Sequence, residues 1–310
     1  MRILVFGAGA IGSLYAGKLS AAGQTVSLVA RGDRLRQLEQ DGLRLVENGS
    51  GAVTEATPAV LEEIDPAEEF DFVLVCVRAD QVEAALPAAG KANSPAIVPM
   101  VNHALGFDPW AQIVGRERLA IGFPGAGAAI EPDGVHYGIP SRLLQQTTLG
   151  ELGGGTSERL GALSEVLRGA GFTVAVSDRI DAWQRYHAAY IGAFLLGIRN
   201  LDGDVDRFLR TPLAQRGVFA AIKESFALLE GLGFPVTPSN LLALKLLPTG
   251  ALVGGTRLAS RIDALHQMFA ASGSKLAVEE APTLGAQIVS LGDQARVPLP
   301  HYRRLLDGHS

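Results

Sequence analysis

A chain of 310 residues, 47% hydrophobic and 19% charged, is long enough for two domains with a sizeable core each and far from the composition of a disordered protein. Its 27 Lys and Arg against 32 Asp and Glu give a net charge of −5, which excludes a broad basic face for nucleic acid and leaves room only for a local anion site. Cys76 is the only cysteine, so no intramolecular disulfide forms, and no apolar run approaches the ~20 residues of a membrane span.

The first segment, "MRILVFGAG", enters a strand at once with no charged-then-apolar leader, and a cytoplasmic setting with no membrane partner is expected. Arg2 to Phe6 reads as a strand, Gly7 to Gly12 as a glycine turn, and "AIGSLYAGKLSAAG" as a helix stopped by Gly23. "TVSLVA" follows as a strand and "RGDRLRQLEQDG" as a helix. "DFVLVCV" is an apolar strand of the buried parallel kind, which makes Cys76 a core residue. "DQVEAALPAAGKA" reads as a helix and "AIVPMV" as a strand. This alternation predicts a doubly wound, Rossmann-type α/β sheet with helices on both faces.

Beyond Asn102 the pattern changes. "RLAIGFPGAGAAI", "GVHYGIP" and "QQTTLGE" are short strand-like runs that suit antiparallel additions at a sheet edge. "GGGTSERLGALSEVLRGAG" is a loop and a helix, "TVAVS" a last strand, and from Asp178 onward helical spacing dominates. The expected domains are therefore 1–177, binding a dinucleotide, and an all-α domain over 178–310 that supplies a substrate wall or a dimer interface. Substrate is expected in the cleft between them, and a homodimer through "IGAFLLGI" is one of two ways to cover that segment.

"GAGAIG" matches the G-x-G-x-x-G dinucleotide fingerprint inside a strand-turn-helix unit. The first glycine permits the tight turn, the second lets a pyrophosphate approach, and the third lets helix and strand pack. Gly7, Ala8, Gly9, Ala10, Ile11 and Gly12 are thus candidate cofactor contacts. An acidic residue ~20 positions on would mark NAD. This chain has Arg31 there, suited to a 2′-phosphate, so NADP is the expected cofactor, with Asp33 as an alternative ribose contact.

Six segments together resemble the ketopantoate reductase family: "ILVFGAGAIGSLYAGKL", Arg31 after the second strand, "VRADQ", "VNHALG", "GFPGAGAAIEPDGVHYG" and "AWQRYHAAYIGA". The resemblance implies NADPH-dependent reduction of a carbonyl, with ketopantoate as the family's substrate. It implies that Arg78 stands near the cofactor where the family usually has a lysine, that Asn102 bonds the nicotinamide ribose and the substrate, and that the Ala128 backbone lines the cofactor. It also implies that Glu280, with Glu279 as the near alternative, contacts the ribose. His103 stands where the family usually has a glycine.

The departures lie on one helix. The family's register of Trp, any residue, Lys, then asparagines four and eight positions after the lysine falls here on Trp183, Arg185, Ala189 and Ala193. The family's lysine is the general acid, whereas arginine stabilises an oxyanion but hardly donates a proton. Arg185 is therefore expected to clamp a substrate oxygen, and Ala189 and Ala193 to form a roomier, apolar substrate wall, with ketopantoate a poor substrate. His187, roughly 200° around the helix from Arg185, is expected to point away as a surface histidine, and Tyr186 and Tyr190 to lie nearer the site face. His103, His136, His187, His266, His301 and His309 show no metal-ligand spacing, so no metal is expected. Two other readings stand beside a reductase: an NADP-binding sensor with little turnover, and an opine-type imine reductase.

Overall fold

The computed structural model describes residues 1–142, 144–259 and 275–308; His266 and His309 lie outside the described residues. The chain divides into two compact units, one of 1–101 and 107–180, the other of 102–106 and 181–310. The break thus comes after Ile180 rather than after Ser177, and five residues around His103 belong with the helices far along the chain.

The first unit is built on a five-stranded sheet in the order β5 (Ala59–Leu61), β2 (Thr25–Val29), β1 (Arg2–Phe6), β6 (Phe72–Val75), β7 (Ile97–Pro99), and every pairing is parallel. The strands are largely apolar, with the buried Ser27 of β2 the polar exception inside them: all of β6 and all but the first residue of β1 and β2 are buried, as a sheet covered on both faces demands. Helices α1 (Ala10–Ala21), α2 (Gly32–Asp41) and α3 (Val82–Ala89) make the crossovers and α4 (Asp108–Val114) follows. After β1 the chain moves to β2 on one side and returns to β6 on the other. The carboxyl end of β1 is therefore the switch point of the sheet, where ligands bind in such folds.

The glycine-rich runs after Asn102 do not extend the parallel sheet in the simple way their sequence suggests. β9 (Gly127–Glu131) and β10 (Gly134–Gly138) join β3 (Leu43–Glu47) and β4 (Val53–Ala56) in a second sheet of order β4-β3-β10-β9. β11 (Thr147–Glu151) stands between β12 (Val174–Val176) and β8 (Ala120–Phe123) in a third. Two isolated parallel bridges, Ile97 with Leu119 and Met100 with Gly122, connect this last group to β7 and its continuation. Helix α5 (Glu158–Gly169) starts at Ser157, whose hydroxyl accepts from the Leu160 amide as an N-cap. The core gathers Ile3, Val5, Leu14, Leu28, Leu74 and Cys76, among others, and burial pushes the Cys76 thiol up to about 12, so it is an inert core residue.

The regular elements of the second unit, among its described residues, are all helical. Its elements are α6 (Ile180–Arg199), α7 (Val205–Arg210), α8 (Pro212–Gly231), α9 (Leu242–Leu246), α10 (Thr249–Ala259), α11 (Lys275–Ala295) and α12 (Pro300–Leu306), with a 3-10 turn at Ser239–Leu241. α6 and α8 carry the centre of the core, where Tyr186, Phe208, Phe226 and Tyr302 are fully buried. None of the described helices is long and apolar enough to cross a membrane.

Candidate active site

The glycine turn sits at the carboxyl end of β1, against the end of β6. Gly7 has φ +109°, and a Cβ there would stand 2.6 Å from the Cys76 carbonyl oxygen, so both conformation and space require glycine. At Gly12 a Cβ would collide with the Gly7 carbonyl. Gly9 differs, because a Cβ there meets nothing within 4 Å and its φ of −68° suits any residue. The protein itself does not need glycine at this position; a pyrophosphate brought close to the backbone does. Gly9 is also the N-cap of α1, no side chain caps that end, and the first turn carries no acidic residue. The amides of the first turn thus face a potential anion, and the residues present fit a dinucleotide.

Arg31 is the exposed N-cap of α2, and Asp33 is exposed and paired with Arg36. The residue aimed at the turn is Arg34, which the sequence reading did not single out. Its Nε donates to the Ala8 carbonyl (3.2 Å), its Nη2 to the Ser13 hydroxyl (2.9 Å) and its Nη1 to Gln37 (2.7 Å). Three positions after Arg31 on a new helix, it points back over the turn, and spacing from the glycines alone does not distinguish the two. Arg78 follows β6 beside the switch point and holds Asp80 with two hydrogen bonds of 3.1 Å, which lowers the Asp80 carboxyl below its usual range. Ala128 lies half-buried on β9 opposite Tyr137.

In the helical unit the segment 102–106 is strapped to α6 and α11. Arg185 donates from Nη1 to the Ala104 carbonyl (2.6 Å), from Nη2 to the Leu105 carbonyl (3.1 Å) and from Nε to Asp181 (2.9 Å), and its guanidinium lies 4.4 Å from the centre of the Phe234 ring. Gln287 accepts from the Ala104 amide (2.9 Å) and reaches His103 Nδ1 (3.3 Å), while His103 Nε2 donates to the Gly106 carbonyl (2.9 Å). Gly106, at φ +117°, leaves the space that Arg185 fills.

This corrects the expected roles on α6. Arg185 is buried with its fork committed to two backbone carbonyls, so it is not a free clamp for a substrate oxygen. Ala189 and Ala193 are fully buried in the helical core, and the Ala189 carbonyl accepts from the Tyr302 hydroxyl, so neither forms a wall open to a substrate. His187 is not a surface residue: it is 4% exposed, and its Nδ1 stands 3.0 Å from Asn102 Oδ1. Tyr186 donates to the Phe234 carbonyl. Burial raises the phenol pKa of Tyr186 and Tyr190, making both weaker proton donors. Glu280 is half-buried and Glu279 exposed on α11.

A parallel sheet with a fingerprint turn at its switch point, followed by a helical unit, is the architecture of Rossmann-type dinucleotide-binding proteins with a helical second domain. The model of the family described as ketopantoate reductase PanE/ApbA matches residues 3–153. The chain is 31% identical over 210 residues to a 2-dehydropantoate 2-reductase of Mesorhizobium japonicum, an alignment spanning 59% of this chain and 62% of that protein. It is 27% identical over 248 residues to the Halobacterium salinarum protein of the same name, covering 77% and 78%. Its fold matches that of D-mandelate dehydrogenase solved with NADH and anilino(oxo)acetate, with a TM-score of 0.79, 18% identity and coverage of 100% and 97%. Its residues 3–153 are thus similar to the ketopantoate reductase PanE/ApbA family, and the chain resembles 2-dehydropantoate 2-reductases in sequence.

Proposed function

We propose that the protein is a nicotinamide-dependent reductase of a 2-oxo acid or ketone, with NADPH preferred over NADH. The observation that carries this reading is Gly9: alone among the three fingerprint glycines it has open space where a side chain would go, and it caps a helix whose end is free for an anion. Arg34 and Arg31 supply the positive charge that favours a 2′-phosphate. The names of the relatives support an oxo acid as substrate, since 2-dehydropantoate and the anilino(oxo)acetate bound by D-mandelate dehydrogenase both carry a carbonyl next to a carboxyl function.

The nicotinamide, when bound, supplies the hydride. The chain's own task is to hold the carbonyl and stabilise the negative charge that develops on its oxygen. Asn102 offers an amide for that purpose, and Arg185 fixes the segment carrying it. Arg185 is tied to two backbone carbonyls, Tyr186 and Tyr190 are weakened as acids, and burial pulls the His187 imidazole down to about 3, so it is neutral at pH 7. With no side chain of α6 poised as the acid, the alkoxide takes its proton from water, releasing hydroxide to solvent.

The reading is tested by following NADPH and NADH oxidation with ketopantoate, 2-oxoisovalerate and phenylglyoxylate, alongside direct titration of both cofactors. Oxidation with at least one oxo acid is expected. Tight cofactor binding without turnover across the set would favour a sensor, and oxidation only when an amine accompanies the oxo acid would favour an imine reductase.

A further inference from the structure

The His187 ring is fixed on two sides by its own helix. Trp183, one turn earlier, stacks on it with centroids 4.8 Å apart and planes 8° from parallel, and Tyr190 meets it edge-on at 5.0 Å. The residue facing its Nδ1 is Asn102, at the start of the segment that Arg185 and Gln287 strap down. Histidine and asparagine are thus both held, and what passes between them is one hydrogen bond of 3.0 Å.

That bond has a chemical consequence. A side-chain amide turns either its oxygen or its amino group toward a given neighbour, and only the amino group stabilises an oxyanion. Asn102 turns its oxygen to His187, which leaves the amino group as the part presented elsewhere. A neutral imidazole carries one N–H, and the oxygen facing Nδ1 accepts only if the proton sits on that nitrogen. With the amide reversed, an oxygen lone pair would oppose the carbonyl of the substrate and hinder its reduction.

We propose that His187 is a positioning residue for Asn102: an Nδ1–H···Oδ1 hydrogen bond locks the amide so that its amino group donates to the carbonyl oxygen of the substrate. The donor role rests on the reductase reading above, while the hydrogen bond does not.

The test has one arm for each half. In the NADPH-bound protein labelled with 15N-histidine, long-range 1H–15N correlation at pH 7 should find His187 protonated on Nδ1, with that signal changed by Asn102→Ala. A ring protonated on Nε2 with Nδ1 bare overturns the proposal. In turnover of phenylglyoxylate, His187→Phe keeps the aromatic stack but loses the donor, and kcat should fall about 100-fold, the scale of one oxyanion donor, while NADPH affinity stays unchanged. His187→Gln, which restores a donor, should recover at least about tenfold of that loss. Unchanged kcat in His187→Phe, or equal loss in both variants, overturns the positioning role. A wild-type protein that reduces none of the oxo acids overturns the donor role along with the reductase reading, and the tautomer then decides the hydrogen bond by itself.

Discussion

Arg185 and Ala104 lie 81 positions apart in the chain, and the Nη1 of the first donates to the carbonyl oxygen of the second across 2.6 Å. With the Leu105 carbonyl taken by Nη2 and Asp181 by Nε, three directions of the guanidinium fork are committed, and its face is covered by Phe234. A lysine ammonium is a point donor and does not reproduce this fork.

Arg185→Lys, although it brings back the family's residue, should therefore destabilise the protein by about 2–4 kcal/mol, through buried carbonyls left short of a donor. Turnover should fall rather than rise. Urea denaturation and steady-state rates measure the two effects, and an equally stable, faster Arg185→Lys enzyme would show that this side chain faces the substrate.

Two of the fingerprint glycines, Gly7 and Gly9, should separate by phenotype. Gly7→Ala combines a positive φ with a close approach to Cys76 and should lose stability, by about 1 kcal/mol or more. Gly9→Ala should melt like the wild type while its affinity for NADPH drops, because only the ligand needs that space. Thermal melts with and without NADPH read both, and undiminished binding by Gly9→Ala would remove the main support for the cofactor site.

Arg34 rather than Arg31 carries the hydrogen bonds to the turn. If it reads a 2′-phosphate, Arg34→Gln should weaken NADPH by about 10–100-fold, the scale of a charged hydrogen bond, and change NADH little. Fluorescence titration with each cofactor decides this. An equal loss for both would mean that Arg34 holds the turn and does not select the cofactor.

Stability should fall in mild acid. Burial lowers His103 to about 4 and His187 to about 3, against 6.5 for an ordinary histidine, so the folded protein keeps both neutral while the unfolded chain takes up protons below 6.5. Above that pH neither contributes to the pH dependence. Between 6.5 and about 4 each should subtract about 1.4 kcal/mol per pH unit. Urea titrations across this range should be steeper for the wild type than for His187→Gln, and parallel curves would refute the buried neutral state of His187.

With water as the proton source, kcat should show no alkaline limb between about pH 7 and 9, where a lysine acid tuned toward neutrality would lose its proton. A limb in that range would identify a protein acid that the helical unit conceals.

The parallel sheet was legible because strands buried on both faces have little choice of residue, as in "FVLVCV", and because the glycine turn carries its own spacing. β3, β4 and β5 are short, half-exposed strands with weak alternation, and they went unread. The candidate site was legible as a set of positions but not as a set of contacts. Arg185 bonds to backbone carbonyls, which leave no trace in sequence. His187 does stand on another face of α6 from Arg185, as helical spacing requires, but the segment 102–106 meets both faces, Asn102 at one and Ala104 with Leu105 at the other. The alanines at 189 and 193 looked like a substrate wall because the family's pattern puts polar groups there; burial in the core explains them better.

The most direct measurement is hydride transfer itself. The protein is incubated with NADPH carrying deuterium at C4 in turn and with phenylglyoxylate or ketopantoate, and the product is examined by mass spectrometry and NMR. Deuterium on the carbinol carbon, with the hydroxyl proton drawn from water, is the expected result. Bound cofactor that retains its deuterium, with no hydroxy acid formed, would contradict a reductase and leave a nucleotide-binding protein in its place.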